Sequence, residues 1–405
     1  MHHLYFATAL ALFFNLFSSP AVPAERQPAG YLTVSEGKFV RAGQEFRGIG
    51  MSYFDLFRRL IDPAPLSATR RSPREGLAIL VEKEIPFVRF AACGFFPVEL
   101  RRYVDDPEGY FALLDGVVAE AEKQGIGLIP SLFWAFFAVP DLVSEPMQSW
   151  GDPQSRTRDY MRRYTKDMVT RYRDSSAIWA WEFGNEYLLE SDLPNLISAE
   201  QWKTPHLGTA KVRGEDDRLR SSDVLSAYRE FAKLVRSLDP ARPILTGDTV
   251  PRAAAGHLRR GLGFKPDSLK EAQDVLAESN PDLVDTISIH LYADAARKPD
   301  YFRPRTPARE TFEAAMAVST KTGKPLWLGE FGADPRKPAR ARLKEVEEFV
   351  RLIEDLRIPL AALWVFDCDN PDVAAWNVEP GNENVDALEI LRQGNRRLRT
   401  KTSSP

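Results

Sequence analysis

Eight short apolar runs, each followed by a longer stretch with helical periodicity, constrain this chain more than any other feature. The runs are Phe46–Met51, Pro86–Ala91, Ile126–Leu132, Ile178–Phe183, Pro243–Gly247, Val284–His290, Pro325–Glu330 and Leu360–Phe366. Helical patterns lie between and after them at Pro73–Lys83, Tyr110–Lys123, Thr157–Tyr172, Asp223–Leu238, Leu269–Glu278, Ala308–Thr322, Ala339–Asp355 and Asn384–Gln393. Such alternation builds a parallel sheet, because a strand reaches a parallel neighbour only by a crossover, and here the crossover is a helix. Eight units predict an α/β fold, the (β/α)8 TIM barrel. An open, doubly wound sheet is the structural alternative, but its phosphate-binding turn needs a later glycine that Gly48-Ile49-Gly50-Met51 lacks.

At 405 residues the chain has room for one large barrel with short extensions. Residues Leu4 to Phe17 are almost unbroken apolar sequence, too short to cross a bilayer, and Ala21-Val22-Pro23-Ala24 follows with the small residues a signal peptidase cuts. The reading is therefore a signal peptide over 1–24, a linker and N-terminal hairpin over 25–45, a catalytic barrel over 46–396 and a frayed tail over 397–405. An uncleaved anchor is the alternative for the leader, since His2 and His3 stand where Lys or Arg is usual. The hairpin is expected around Glu36-Gly37, with a second turn at Ala42-Gly43. Local signals support the helix ends, with Ser72-Pro73 opening one and Gly125 closing another. The longest connection, Tyr187 to Ser222, is polar and aperiodic, and long loops in compact domains are commonly functional.

The formal net charge of -3 provides no basic field for a phosphate backbone, so nucleic acid is excluded as a partner. Export would place the chain in an oxidising compartment, secreted or periplasmic, with no membrane partner once the leader is removed. Only Cys93 and Cys368 are present, which is no disulfide framework. Both are expected as buried thiols, and the core must supply the stability. A monomer is expected. No His, Cys or carboxylate spacing resembles a zinc site or calcium loop, and Asp367-Cys368-Asp369-Asn370 falls short of one, so no metal and no cofactor are expected.

Catalytic groups in barrels of this kind stand where strands end and loops begin, on the C-terminal face. The fourth run ends in Glu182-Phe183-Gly184-Asn185-Glu186 and the seventh in Trp327-Leu328-Gly329-Glu330-Phe331-Gly332. Each delivers a carboxylate to one rim, and strands four and seven face each other across an eight-membered ring. Cleaving a glycosidic bond needs one carboxylic acid to protonate the departing oxygen and a second to attack the anomeric carbon or activate water. A separation of about 5 to 5.5 Å gives retention of configuration, and about 6.5 to 9.5 Å gives inversion. At the shorter distance the charge on Glu330 is expected to raise the pKa of Glu186.

Asn185-Glu186 and Gly329-Glu330-Phe331-Gly332 resemble the signature of family 5 glycoside hydrolases, within the wider clan A. The likeness covers nearly the whole chain after the leader, since Phe39 to Phe46, Arg89 and Ser288-Ile289-His290-Leu291-Tyr292 fall in family order. It implies Glu186 as acid/base, Glu330 as nucleophile, Asn185 as partner of the sugar 2-hydroxyl and Trp364 as the sugar platform. It also implies that Arg89 holds Glu330 ionised, that Tyr292 donates to the nucleophile, and that His290 contacts substrate or the acid/base side. Glu182 reads as structural. Taken singly, each of these polar and aromatic residues would also suit ordinary packing.

The third run ends Ser131-Leu132-Phe133-Trp134, where many cellulases of the family place a histidine. An aromatic there is closer to the family's mannanases, which makes Trp134 a candidate sugar contact. Trp150, Trp202 and Trp376 are further loop tryptophans able to stack on sugar or to pack. The resulting expectation is a retaining hydrolase of β-1,4-linked mannan or glucan. The alternatives are a catalytically weak carbohydrate-binding barrel and a barrel enzyme using a metal or phosphate handle.

Overall fold

The computed structural model describes residues 30–62, 70–194, 200–293, 306–368 and 370–402. The leader 1–24, the start of the linker, Asp369 and the last three residues of the tail lie outside the described residues.

A small antiparallel sheet comes first, with strands β1 (Leu32–Ser35), β2 (Lys38–Arg41) and β3 (Gln44–Glu45). Eight parallel strands follow: β4 (Gly48–Ser52), β5 (Phe87–Ala91), β6 (Gly127–Phe133), β7 (Trp181–Gly184), β8 (Ile244–Leu245), β9 (Ile287–Tyr292), β10 (Leu326–Gly332) and β11 (Leu360–Trp364). Their order is β8-β7-β6-β5-β4-β11-β10-β9, so the first barrel strand pairs with the last, Gly48 against Leu360 through Ser52 against Trp364. This cyclic order rules out the doubly wound alternative and makes the sheet a barrel.

The ring is closed by a ladder everywhere except between β8 and β9, where side chains bridge the seam. Asp285 N–H donates to Ile244 O at 2.9 Å while the Asp285 carboxylate accepts from Ile244 N–H at 2.7 Å. Asn280 Oδ1 accepts from Thr246 Oγ1 and from Ser288 N–H, each at 3.1 Å. Thr249 Oγ1 donates to His290 O at 3.1 Å. These bonds satisfy backbone groups that a buried seam would otherwise orphan.

Two apolar clusters account for the packing. The lumen holds Phe87, Ile129, Ala180, Leu245, Trp327, Leu360 and Ala362, and the opening sheet adds Tyr31, Leu32 and Phe39 to the same cluster, plugging the N-terminal mouth. Arg41 lies 4.6 Å from the Trp179 ring and Arg242 4.0 Å from the Tyr31 ring, pinning the plug from both sides. The larger cluster lies between the strands and the ring of helices. Both cysteines are free and buried, as expected, and burial pushes each thiol up to about 12.

The main helices fall where periodicity placed them, several to the residue, as with Leu269–Glu278, Ala308–Thr322 and Ala339–Asp355. Ser72 caps the helix Pro73–Glu82 in a reciprocal box with Glu75. Two rim helices, Pro97–Asp105 and Ala138–Leu142, were not anticipated, because each is short and sits in what reads as loop. The end of the chain also departs from expectation. The last helix runs Asp386–Thr402 through the residues expected to fray. Leu398 is buried, and Arg396 and Arg397 pair with Glu84 and Glu354. Asn395 takes both backbone groups of Ile49, accepting from its N–H and donating to its carbonyl at 2.8 Å each. It does so just before the β4–β5 ladder begins at Met51.

Candidate active site

Moving up the barrel from its apolar floor, the first polar layer is a fully buried ion pair. Arg89 on β5 donates through Nε to Glu182 on β7 at 2.7 Å, and Glu182 also accepts from Trp327 Nε1 at 2.9 Å. Neither side chain of the pair reaches solvent. Burying two charges is costly unless every lone pair and donor is used. Arg89 uses its remaining fork upward, donating to Glu330 Oε1 at 2.7 Å and to Asn185 Oδ1 at 2.9 Å. Glu182 is thus the anchor of Arg89, in keeping with the structural role read from sequence.

Glu330 points inward because β10 is bulged. Its register against β9 jumps between Leu328 and Glu330, Leu328 facing Ile289 and Glu330 facing His290, which leaves Gly329 as the extra residue. Trp327 packs in the lumen and Leu328 and Phe331 in the outer shell, so strict alternation would send Glu330 outward. The bulge restores the inward direction. Glycine is required there, since a Cβ on Gly329 would sit 2.6 Å from His290 Nε2. Tyr292 on β9 donates its hydroxyl to the other oxygen, Glu330 Oε2. Burial, with the Glu186 charge beside it, holds the Glu330 carboxyl above its ordinary value, and Arg89 and the Tyr292 hydrogen bond offset only part of that rise.

Glu186 stands opposite, on a turn rather than a strand. Its backbone is left-handed, φ 54° and ψ 32°, a conformation that costs a non-glycine residue about 1 to 2 kcal/mol. Three bonds hold the turn: Glu186 N–H to Gly247 O at 3.0 Å, Leu189 N–H to Glu186 O at 3.1 Å, and Leu188 N–H to Asp248 Oδ1 at 2.9 Å. Gly247 must be glycine here, because its φ is 74° and a Cβ would come within 2.0 Å of Gly184 O. Asp248 itself is buried, bound by the Tyr228 hydroxyl, and raised to about 7 chiefly by burial.

The Glu186 carboxyl meets His290 Nδ1 at 2.9 Å, and the same nitrogen is 3.7 Å from Glu330 Oε2. One oxygen from each glutamate and a His290 ring nitrogen all lie within 4.8 Å of one another. Although a quarter of the Glu186 side chain is accessible, its carboxyl sits deep in the cleft, and desolvation raises its pKa to about 7. The next contribution is the Glu190 charge; the expected cause, Glu330, does not lead. Burial drives His290 the other way, to about 4, so its imidazole is neutral. A neutral ring can accept a proton from Glu186 or donate one to it.

The aromatic residues divide. Trp364, at the end of β11, stays half-buried, with Phe54 and Trp134 against its ring. Trp134 is placed differently from the sugar contact expected of it: it is 4% exposed, with Arg89 4.5 Å from its ring and Trp364 packed on it at 6.1 Å and 27°. It packs against Arg89 and Trp364. Trp150 is wholly buried and bonds Phe136 O at 2.7 Å, an ordinary packing role. Trp376 packs edge-on against Tyr292, and Trp202 stacks on Phe137. Sequence reading missed Gly329, Gly247, Asp248 and Tyr228 as members of this constellation. A lone glycine inside a strand pattern was the available signal for the bulge.

Among the described residues, two sets of side chains lie close enough to share a cation, Glu186 with His290 and Glu330, and His257 with Asp267 and Glu271. In the first, Glu330 is already engaged by Arg89 and Tyr292. In the second, Asp267 accepts from Gly256 N–H and His257 N–H and pairs with the His257 ring, while Glu271 caps Ser268. The second set is internally satisfied, whereas His290 Nε2 in the first is buried without a partner.

Among solved structures, the endo-1,4-beta-mannanase of Rhizomucor miehei superimposes with a TM-score of 0.63 at 14% identity, over 92% of this chain and all of that one. That of Thermotoga petrophila gives 0.61 at 18% identity, over 89% of this chain and 78% of its own. At such identities the likeness establishes the barrel. In sequence, a probable mannan endo-1,4-beta-mannosidase C of Aspergillus terreus is 26% identical over 240 residues, 54% of this chain and 55% of that protein. A mannan endo-1,4-beta-mannosidase A of Podospora anserina is 26% identical over 225 residues, 54% of this chain and 50% of its own. The chain thus spans about half the length of these relatives. The family described as Cellulase (glycosyl hydrolase family 5) matches residues 74–368, taking in every strand from β5 to β11 and both glutamates, and the chain belongs to that family.

Proposed function

We propose that this chain is an exported, monomeric, retaining glycoside hydrolase that cleaves β-1,4-linked mannan or glucan by double displacement, with 1–24 as its signal peptide and 46–396 as its catalytic barrel. The observation that carries the proposal is the approach of Glu186 and Glu330 to within 4.8 Å, oxygen to oxygen, in unlike settings. That closeness fits the short separation of retaining enzymes, about 5 to 5.5 Å between carboxyl groups, better than the about 6.5 to 9.5 Å of inverting ones. Glu330, gripped by Arg89 and Tyr292, attacks the anomeric carbon and forms the glycosyl-enzyme ester. Glu186, raised to about 7, gives its proton to the departing oxygen and then takes one from the water that hydrolyses the ester. Asn185, fixed by Arg89, is placed to bind the sugar 2-hydroxyl, and Trp364 to carry the ring face. No helix among the described residues is long and apolar enough to cross a membrane.

The test is hydrolysis of soluble mannan and glucan by the purified protein beside Glu330→Gln and Glu186→Ala. Wild type should release sugar with the β-configuration at the new anomeric centre, followed by NMR. Glu186→Ala should recover turnover of an activated aryl glycoside when azide is added. Negligible and equal sugar release by wild type and Glu330→Gln would leave a carbohydrate-binding barrel instead.

A further inference from the structure

A run of aromatic rings lies along one side of the barrel mouth. Phe54, after β4, lies 4.9 Å from Trp134 and 5.9 Å from Phe95. Phe95, after β5, is 5.7 Å from Phe137 and 5.4 Å from Trp202. Trp202 stacks on Phe137 at 5.3 Å and 22°. Trp202 belongs to the long connection after β7, so that connection crosses the rim and seats itself above the ends of β5 and β6. It is fastened there: Arg213 forks onto Asp141 at 2.6 and 2.8 Å with both side chains out of solvent. Gln148 Nε2 donates to Glu215 O at 3.2 Å, and a Cβ on Gly208 would lie 3.0 Å from Pro97. A buried, bidentate pair of this kind resists opening, because breaking it strands a charge.

The direction of the closed side follows from the chemistry already assigned. The acid/base must stand beside the leaving oxygen, so the aglycone runs out past Glu186 and the glycone lies over Trp364. Phe54 and Trp134 touch Trp364 itself, at 6.0 and 6.1 Å. The wall therefore begins at the platform, on the glycone side.

We propose that the chain acts on the non-reducing ends of β-1,4-linked chains, releasing a mono- or disaccharide, because the wall of Phe54, Phe95, Phe137 and Trp202 stops the cleft just beyond Trp364. This rests on the hydrolase reading above. Each event adds one water across the terminal or penultimate glycosidic bond: the anomeric C–O bond breaks, the shortened chain keeps the oxygen and gains the proton from Glu186, and water supplies the new anomeric hydroxyl.

The experiment uses the full chain with β-1,4-mannohexaose and cellohexaose tagged by a fluorophore at the reducing end. Early in the reaction, unlabelled mono- or disaccharide should appear together with tagged tetramer or pentamer, and soluble mannan should lose viscosity slowly for each bond cut. Tagged short fragments with rapid loss of viscosity would overturn the inference while leaving the hydrolase reading intact. Release of a tagged terminal sugar alone would place the wall on the other side and equally overturn it. No release from either hexaose would overturn both. In Trp202→Ala, internal cuts should rise about tenfold relative to end release, the scale on which one apolar contact discriminates. The wild-type profile decides the question if that variant fails to fold.

Discussion

The two sides of the cleft hold the same functional group in opposite ways. On the β10 side, Glu330 is 4% exposed, grows from a strand, and meets a guanidinium and a phenol. On the β7 side, Glu186 sits on a left-handed turn, keeps a quarter of its side chain accessible, and meets a neutral imidazole and a neighbouring carboxylate. Strand and donors fix the Glu330 carboxylate in place, and the guanidinium and phenol offset part of the cost of burying its charge. Turn, desolvation and a nearby anion favour a group that holds a proton near neutrality and exchanges it. In the proposed mechanism, two chemically identical side chains thereby take different roles through surroundings alone.

The contrast is sharpest if each side is removed in turn. Glu330→Gln should abolish turnover of every substrate, by about 10⁴-fold or more in kcat, because no bond to the anomeric carbon can form. Glu186→Gln should be as damaging on polysaccharide but much milder on aryl glycosides whose leaving group needs no proton; equal losses on both substrates would erase the distinction drawn here. Arg89→Met should cost about 3 to 5 kcal/mol in urea unfolding, since Glu182 is left buried and unpaired, and it should also weaken catalysis through Glu330. Glu182→Gln is the milder partner variant.

Two further tests address the proton. kcat/KM should fall as pH rises through about 7, where Glu186 loses its proton. Glu190→Gln removes the neighbouring anion and should move that limb to lower pH by a fraction of a unit; no movement would leave desolvation as the sole cause. The linkage to stability has the same origin. A carboxyl raised from 4.5 to about 7 contributes stability that is complete below the unfolded pKa and lost as pH rises through 7. Glu186→Gln should therefore flatten the decline of Tm between pH 5 and 8 by the equivalent of roughly 2 to 3 kcal/mol.

Much of this was legible in the chain because a TIM barrel repeats a strong signal. Leu326 to Gly332 announces a buried strand by its apolar content, Glu330 falls within it, and Glu186 stands just past the run Ile178–Phe183. What escaped notice was geometry between distant residues. The Gly329 bulge shows in sequence only as a glycine, and its effect depends on the register with β9. The fate of Trp134 depended on Arg89 and Trp364 arriving from other strands. The source of the Glu186 shift was misjudged because burial of a turn cannot be read from composition, whereas an opposite carboxylate can be guessed. The last helix read as frayed since Arg396 to Thr402 is mostly charged, and its partners Glu84, Glu354 and Ile49 are remote.

That last attachment bears on how the molecule is made. The Asn395 carboxamide acts as a one-residue stand-in for a strand, completing Ile49 from a position 346 residues further on. The strand on the other side of β4 is β11, which also arrives from the far end of the barrel. Until β11 and Asn395 are in place, one edge of β4 and both backbone groups of Ile49 stay open, so ring closure joins residues far apart in sequence and contact order is high.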